Sequence, residues 1–116
     1  MPAQCLKGQK MTIIRHYLME SRDGEGQVLA TALSGLAKAI VPLPGLEKIE
    51  ILGDMEDPNS FAFVEYWESK EVHQSAGKAL PKEAFAPVMA VLRVPPEGRY
   101  LMLTDTIEPA TSASTT

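Results

Sequence analysis

Residues 61 to 71 read FAFVEYWESKE, and this stretch decides the fold because it joins a strand to the beginning of a helix. Its first seven residues divide by the two-residue period of a strand into Phe61, Phe63, Glu65 and Trp67 on one face and Ala62, Val64 and Tyr66 on the other. Both faces are largely apolar, which is typical of a strand that is covered on both sides. Ser69 then stands where a helix N-cap is expected, and Glu71 falls in the first turn, where the helix dipole favours a carboxylate.

Upstream of this stretch, the sequence predicts a strand, a helix and a second strand. Met11–Glu20 contains β-branched and aromatic residues and is followed by the turn-rich SRDGEG. From about Glu25 to Val41, apolar residues recur at helical spacing, and Pro42 and Pro44 end this helix. Leu46–Leu52 is the second strand, and GDMEDPNS is predicted to connect it to the third as a hairpin.

Downstream, the sequence predicts a helix, a shorter helical piece and a last strand. The helix runs to about Leu80 and breaks at Pro81, and the second piece covers roughly 82–92. The last strand is expected at Arg99–Thr104. The order β-α-β-β-α-β predicts an α+β, ferredoxin-like fold, with a four-stranded antiparallel sheet and both helices on one face.

We expect a single domain over residues 11–106, with flexible tails at 1–10 and 107–116. The helices can cover only one face of the sheet, and the other face also carries apolar side chains. A second copy of the chain is the simplest cover for it, so the sequence predicts a homodimer.

Composition narrows the class of protein. The chain has 116 residues, of which 45% are hydrophobic and 22% charged, with a net charge of −4. An acidic chain without basic clusters is not expected to bind nucleic acid. No stretch is long and apolar enough for a membrane span, and the N-terminus does not resemble a signal peptide, so we expect a cytoplasmic protein without a membrane partner. The single cysteine, Cys5, cannot build a disulfide framework.

The chain resembles the antibiotic-biosynthesis monooxygenase family over about 11–104. The resemblance rests on FAFVEYWESKE, on the Pro44-Gly45 turn about 20 residues upstream, and on Asp57-Pro58 before the third strand. It implies a dimeric α+β barrel in which two sheets pack face to face, with a small cavity in each subunit between the sheet and the helices.

The same resemblance implies several activities. Some members oxidise phenolic or quinol-like aromatics without metal or flavin, others degrade haem, and others are isomerases or have no settled activity. We therefore expect a cofactor-independent monooxygenase that acts on a small aromatic, quinol or polyketide-like molecule. An isomerase or lyase, or a non-catalytic protein that binds small hydrophobic molecules, remains the alternative.

A histidine that many members carry on the second helix is missing. It would stand nine or ten residues after Trp67, where this chain has Ala76 and Gly77. The nearby histidine is His73, six residues after the tryptophan, and we expect it to project from a different part of the helix. This departure weighs against haem ligation from that helix.

Three residues are predicted to be catalytic, namely His16, Glu65 and Trp67. His16 is the candidate base because an imidazole titrates near neutrality, although a histidine at the dimer interface is the alternative. Glu65 shares a face with Trp67, and a carboxylate there is either perturbed by burial or paired across the dimer with Arg15 or Arg99. Trp67 either lines the cavity or anchors the core.

Four further residues are predicted to bind the substrate, namely Tyr17, Phe63, His73 and Arg93. The alternatives are ordinary packing for Tyr17 and solvent-exposed positions for His73 and Arg93. No HxxxH, HxE or CxxC spacing supports a metal site, and no glycine-rich phosphate loop supports a nucleotide, so we expect no cofactor.

Overall fold

The structure is a computed structural model that describes residues 12–110. The thiol of Cys5, the predicted tail at 1–10, the first strand residue Met11 and the last six residues, 111–116, lie outside the described range. The elements in chain order are β1 (Ile13–Glu20), α1 (Gly26–Ile40), β2 (Leu46–Asp54), β3 (Asp57–Trp67), α2 (Lys70–Ala79), a 3-10 turn (Lys82–Ala84), α3 (Ala86–Val91) and β4 (Glu97–Met102).

The strands form one antiparallel sheet in the order β2-β3-β1-β4, which confirms the ferredoxin-like α+β fold. In β1, Tyr17 lies opposite Phe63 of β3 and Gly98 of β4. Two positions earlier, Arg15 lies opposite Glu65 of β3 and Tyr100 of β4. Because side chains alternate along a strand, Arg15, Glu65 and Tyr100 share one face of the sheet.

The core lies between this face and the helices. Helix α1 contributes a buried stripe at helical spacing, Leu29, Leu33, Leu36 and Ile40. Phe63 and Trp67 meet it from β3 with at most 1% of their surface exposed. Each such side chain stabilises the fold by roughly 1.5–3 kcal/mol through burial of apolar surface.

Several element boundaries differ from the sequence prediction. The hairpin turn contains only residues 55 and 56, because β2 and β3 pair through to Asp54 and Asp57. Asp57-Pro58 therefore begins a strand rather than belonging to a loop. The predicted helical piece at 82–92 is a 3-10 turn followed by the short α3, and β4 begins earlier than predicted, at Glu97.

Helix α2 is fixed over the sheet at its N-terminal end. The predicted N-cap is confirmed, because the Ser69 hydroxyl accepts a hydrogen bond from the Val72 amide at 3.1 Å. Gly45, at φ +88°, lets the loop before β2 approach Val72 so closely that a Cβ atom there would overlap its side chain. Ala76 is the fully buried residue of α2, and Val72 and His73 are partly buried on the same side of the helix.

None of the helices within residues 12–110 packs on the opposite face of the sheet, which is called the helix-free face below. Its large apolar side chains remain partly exposed, with Leu18 at 41%, Leu52 at 50% and Leu101 at 39% of their surface. His16 lies among them, between Ile14 and Leu18 on the same side of β1. None of the helices within residues 12–110 is long and apolar enough to cross a membrane.

Candidate functional site

A small chamber lies between the sheet and α2, with a volume of about 130 Å³. Most of its wall is apolar or aromatic, contributed by Tyr17, Ile40, Leu43, Trp67, Leu80 and Phe85. Two ionisable side chains, Glu65 from β3 and His73 from α2, also face it. An apolar space with a few convergent polar groups is the usual form of a small-molecule site.

Glu65 is the most unusual group of the chamber, because only 4% of its surface is exposed. The indole Nε1 of Trp67 donates a hydrogen bond to its Oε1 at 2.8 Å. Burial raises the pKa of the Glu65 carboxyl, and the Trp67 hydrogen bond and the charge of Arg15 offset only part of that rise. A carboxylate that is hard to keep ionised is a stronger base than an exposed one.

His73 lies beside Glu65, with its Nε2 3.6 Å from the Glu65 Oε1. Its Nδ1 is 2.7 Å from the Tyr100 hydroxyl, and its ring meets the Trp67 ring edge-on, with 5.4 Å between centroids. Burial, and then the charge of Arg15, lower the pKa of His73, so the imidazole is neutral at pH 7. Because the Glu65 Oε1 lies on the Nε2 side of the ring, we assign the proton of the neutral imidazole to Nε2, with the Tyr100 hydroxyl then donating to Nδ1.

Arg15 is packed behind this pair, between two aromatic rings. Its guanidinium carbon lies 4.8 Å from the centroid of Tyr17 and 4.4 Å from that of Tyr100. Its Nε is buried and has no hydrogen-bond partner within the described part of the chain. Gly98 makes room for this packing, since a Cβ there would lie 2.8 Å from the guanidinium and 2.9 Å from the Tyr17 ring.

These groups can move a proton inside the chamber. The Glu65 carboxylate can accept one, and the Nε2–H of His73 can donate a hydrogen bond to an oxyanion that forms nearby. Burial raises the pKa of the Tyr17 hydroxyl, which therefore remains a protonated donor at neutral pH. Glu65 and His73 are largely buried, so each of these interactions is stronger than it would be at the surface.

The structure brings four of the seven predicted site residues to this chamber. Trp67 and Glu65 line it from β3, Tyr17 from β1 and His73 from α2. The alternative of an exposed His73 is wrong, because only 15% of its side-chain surface is accessible. Glu65 is partnered within its own subunit, by Trp67.

The other three predicted residues lie elsewhere. His16 is on the helix-free face of the sheet, because it alternates with Tyr17 along β1, and it cannot share a cavity with Glu65 within one subunit. Phe63 is fully buried in the core behind Tyr17, 6.5 Å between ring centroids, and has no free surface to offer a ligand. Arg93 is on the outside, where it binds Asp23 at 2.8 Å and Glu20 at 3.7 Å.

The expected orientation of His73 is also wrong. Residues 73, 76 and 77 are separated by three and four positions, which places them on one face of an α-helix. His73, Ala76 and Gly77 accordingly all line the chamber. The imidazole therefore reaches the same space from one turn nearer the helix N-terminus than the histidine of the resembled pattern.

Sequence reasoning missed Tyr100, and it considered Arg15 only as a possible partner of Glu65 across the dimer, whereas Arg15 lies opposite Glu65 within one subunit. The signal for the placement of Arg15 was available in the strand pattern, since Arg15 lies two positions from Tyr17 on β1 and therefore shares its face. Tyr100 needed the pairing of β1 with β4, which the sequence does not show. Within residues 12–110, no group of three or more His, Cys, Asp or Glu side chains could hold a metal ion.

The sequence was compared with models of known protein families and with curated proteins. The sequence model described as antibiotic biosynthesis monooxygenase matches residues 12–79, which is more than half of the 116 residues. Among curated proteins, none matches the chain significantly.

Solved structures show the same fold in proteins of different description. SnoaB, a cofactor-independent oxygenase from Streptomyces nogalater solved as a single-residue variant, has a TM-score of 0.74 at 14% identity, covering 84% of this chain and 98% of that one. A candidate antibiotic biosynthesis monooxygenase from Chloroflexus aurantiacus has a TM-score of 0.69 at 20% identity, over 84% of this chain and 97% of that one. A protein of unknown function from Nitrosomonas europaea has a TM-score of 0.66 at 18% identity, with 86% and 96% covered.

Proposed function

The chain belongs to the antibiotic biosynthesis monooxygenase family, and we propose that it is a cofactor-independent monooxygenase that oxidises a small, electron-rich aromatic or polyketide-like molecule. The observation that carries this proposal is the buried Glu65 in an otherwise apolar chamber, held by Trp67 and next to a neutral His73. The description of SnoaB as a cofactor-independent oxygenase supports the choice of reaction.

In the proposed reaction, Glu65 removes a proton from an activated methylene or phenol of the substrate. The resulting anion is stabilised by hydrogen bonds from the Nε2–H of His73 and the hydroxyl of Tyr17. Such an anion can pass an electron to dioxygen directly, after which the two radicals combine to a carbon-bound peroxide. Glu65 returns its proton to the peroxide oxygen.

The overall reaction balances without an external reductant. A methylene carbon loses two hydrogens and gains one oxygen atom, and the other atom of dioxygen leaves as water. The substrate supplies all four electrons. In the last step the O–O bond breaks as the second C–H proton is removed, which forms the carbonyl and releases hydroxide that becomes water.

The experiment is oxygen uptake by the purified protein with a panel of anthrone-like phenols and quinols, followed by mass spectrometry of the product formed under ¹⁸O₂. We expect one dioxygen consumed and one ¹⁸O atom incorporated per substrate, at a rate above autoxidation that is lost when the protein is heated. Proton exchange into the substrate under nitrogen, without oxygen uptake in air, would instead indicate an isomerase or lyase. Binding without either reaction would indicate a non-catalytic binding protein.

We further propose that the protein works as a cytoplasmic homodimer. The helix-free face carries the partly exposed Leu18, Leu52 and Leu101, and packing against a second copy would bury them. A lone cysteine is consistent with a reducing compartment, where small domains do not depend on disulfides. Light scattering at micromolar concentration is expected to give twice the chain mass, and a monomer would contradict the proposed assembly.

A further inference from the structure

A second space lies on the outer side of α2, against the loop that follows α1. This outer groove has a volume of about 350 Å³. Its apolar part consists of Leu43, Pro44, Val72, Ala76 and Ala79. At its edge, Glu68, Glu71 and Ser75 are exposed to solvent.

The chamber and the outer groove share two wall residues, Leu43 and Ala76. These two side chains, one from the loop after α1 and one from α2, therefore separate the two spaces. Ala76 is the single buried residue of α2. A molecule that occupies both spaces at once must therefore pass between the side chains of Leu43 and Ala76.

The volumes decide what a joined site would hold. A chamber of about 130 Å³ holds at most one six-membered ring, since it is slightly smaller than the cavity of about 150 Å³ that accommodates benzene. A larger substrate whose reacting ring lies next to Glu65 must extend beyond the chamber. The groove behind Leu43 and Ala76 is apolar and more than large enough for such an extension.

We propose that the outer groove is a second substrate subsite, which binds an uncharged, apolar extension of a phenolic substrate whose ring occupies the chamber. Ala76 and Leu43 then set the permitted width of the substrate at the junction. The carboxylates of Glu68 and Glu71 at the edge of the groove disfavour an extension that ends in an anion. This inference rests on the proposed function only for the placement of the phenol ring.

The test is a binding series under nitrogen, in which 4-alkylphenols from methyl to heptyl are titrated against the intrinsic fluorescence. Trp67 is the only tryptophan of the chain and lines the chamber, so the signal reports on the phenol ring directly. If the alkyl chain enters the groove, each added methylene tightens binding by up to about fourfold. An affinity that does not change with chain length would overturn the proposal.

Ala76→Leu fills the junction, and we expect the affinity for longer 4-alkylphenols, measured relative to the same variant's affinity for 4-methylphenol, no longer to rise with chain length. The matched control is Gln74→Leu, which places the same side chain at an exposed α2 position that lines neither space. This control is expected to bind the whole series as the unaltered protein does. An unchanged gain in Ala76→Leu would contradict the proposal.

Leu43→Ala widens the junction instead of filling it. This variant still tests the proposal if Ala76→Leu does not fold. With a wider junction, the affinity is still expected to rise with chain length. The variant should also bind a phenol with a branched alkyl chain that the unaltered protein rejects. Continued rejection of the branched chain would contradict the proposal.

A charge series tests the edge of the groove. A 4-alkylphenol ending in a carboxylate is expected to bind at least about tenfold more weakly than the neutral alkylphenol of equal length. The double variant Glu68→Gln, Glu71→Gln should recover part of that loss, more at low than at high salt. Equal affinity for the two ligands would refute the charge selection. None of these readouts needs turnover, so a failed oxygen-uptake experiment leaves them interpretable.

Discussion

Replacing Trp67 by Phe removes the indole hydrogen bond to Glu65 but keeps an aromatic ring in the core. The experiment therefore separates the contribution of the hydrogen bond to stability from that of apolar burial. The indole is 1% exposed, and its Nε1 donates to the buried Oε1 of Glu65 at 2.8 Å. The smaller ring loses about 1 kcal/mol of apolar burial. The lost hydrogen bond is worth about 1 kcal/mol to a protonated carboxyl and about 2–3 kcal/mol to an ionised one. The free energy of unfolding should therefore fall by about 2 kcal/mol in acid and by about 3–4 kcal/mol at alkaline pH.

The sign of this pH dependence follows from Glu65. Its pKa in the folded protein is raised above the ordinary value of 4.5, so the stability it contributes is complete below that pH and is lost as the pH rises through the raised folded value. Trp67→Phe removes a group that favours the ionised form, which raises the pKa of Glu65 further and increases that loss. Urea unfolding followed by circular dichroism, at one protein concentration and at pH 4.5 and 8, measures the difference.

Phe63→Leu is the matched control for this experiment. Phe63 is fully buried in the same strand, and its ring packs against Tyr17, which keeps its proton throughout this range. Its replacement should lower the free energy of unfolding by about 1–2 kcal/mol, equally at both pH values. A loss in Trp67→Phe that is likewise the same at both pH values would refute the assignment of Glu65 as a buried carboxylate held by the indole.

Three further substitutions test other parts of the structure. Tyr100→Phe removes the hydroxyl 2.7 Å from the Nδ1 of His73 and should slow oxygen uptake about fivefold, because the imidazole proton is no longer directed to Nε2; an unchanged rate would remove Tyr100 from the site. His16→Ala should leave oxygen uptake intact and weaken the proposed dimer in light scattering, whereas a lost rate in a folded dimer would return His16 to the reaction. Gly45→Ala should lower the free energy of unfolding by at least about 2 kcal/mol in urea, since the left-handed backbone and the close approach of Val72 both oppose a Cβ; a neutral effect would contradict that packing.

Much of the fold could be predicted because each element carries its own local signal. The alternation in 61–67 identified β3, and Ser69 identified the beginning of α2. The predicted connection between β2 and β3 was too long, because Asp57-Pro58 is a common turn sequence and was assigned to the loop. Here cross-strand pairing extends past it to Asp54, and tertiary pairing prevails over local turn preference.

The site could be predicted only in part, because period-two alternation assigns side chains to two faces without saying which face the helices cover. His16 and Tyr17 point in opposite directions in either case. Both faces of β1 carry apolar neighbours, so the choice of His16 as base was not constrained by the pattern. Tyr100 became part of the site only through the register of β4 against β1, a contact between residues 85 positions apart that places it opposite Arg15.

The protonation states of the site have a consequence for its use near neutral pH. Burial raises the pKa of Glu65 and lowers that of His73, so each side chain favours its neutral form more than it does in an unfolded chain. Ionisation of Glu65 supplies the base as the pH rises, and the neutral His73 supplies the hydrogen bond to the oxyanion. The rate of oxygen uptake is therefore expected to increase from acid toward neutral pH.

Oxygen uptake by Glu65→Gln tests the central claim most directly. The amide keeps the size of the side chain and can still accept the hydrogen bond from Trp67, but it cannot take up a proton. If Glu65 is the base, the rate should fall by roughly a hundredfold or more, with circular dichroism and substrate binding retained. A folded Glu65→Gln protein that consumes oxygen at the original rate would contradict the claim that this chamber is the catalytic centre.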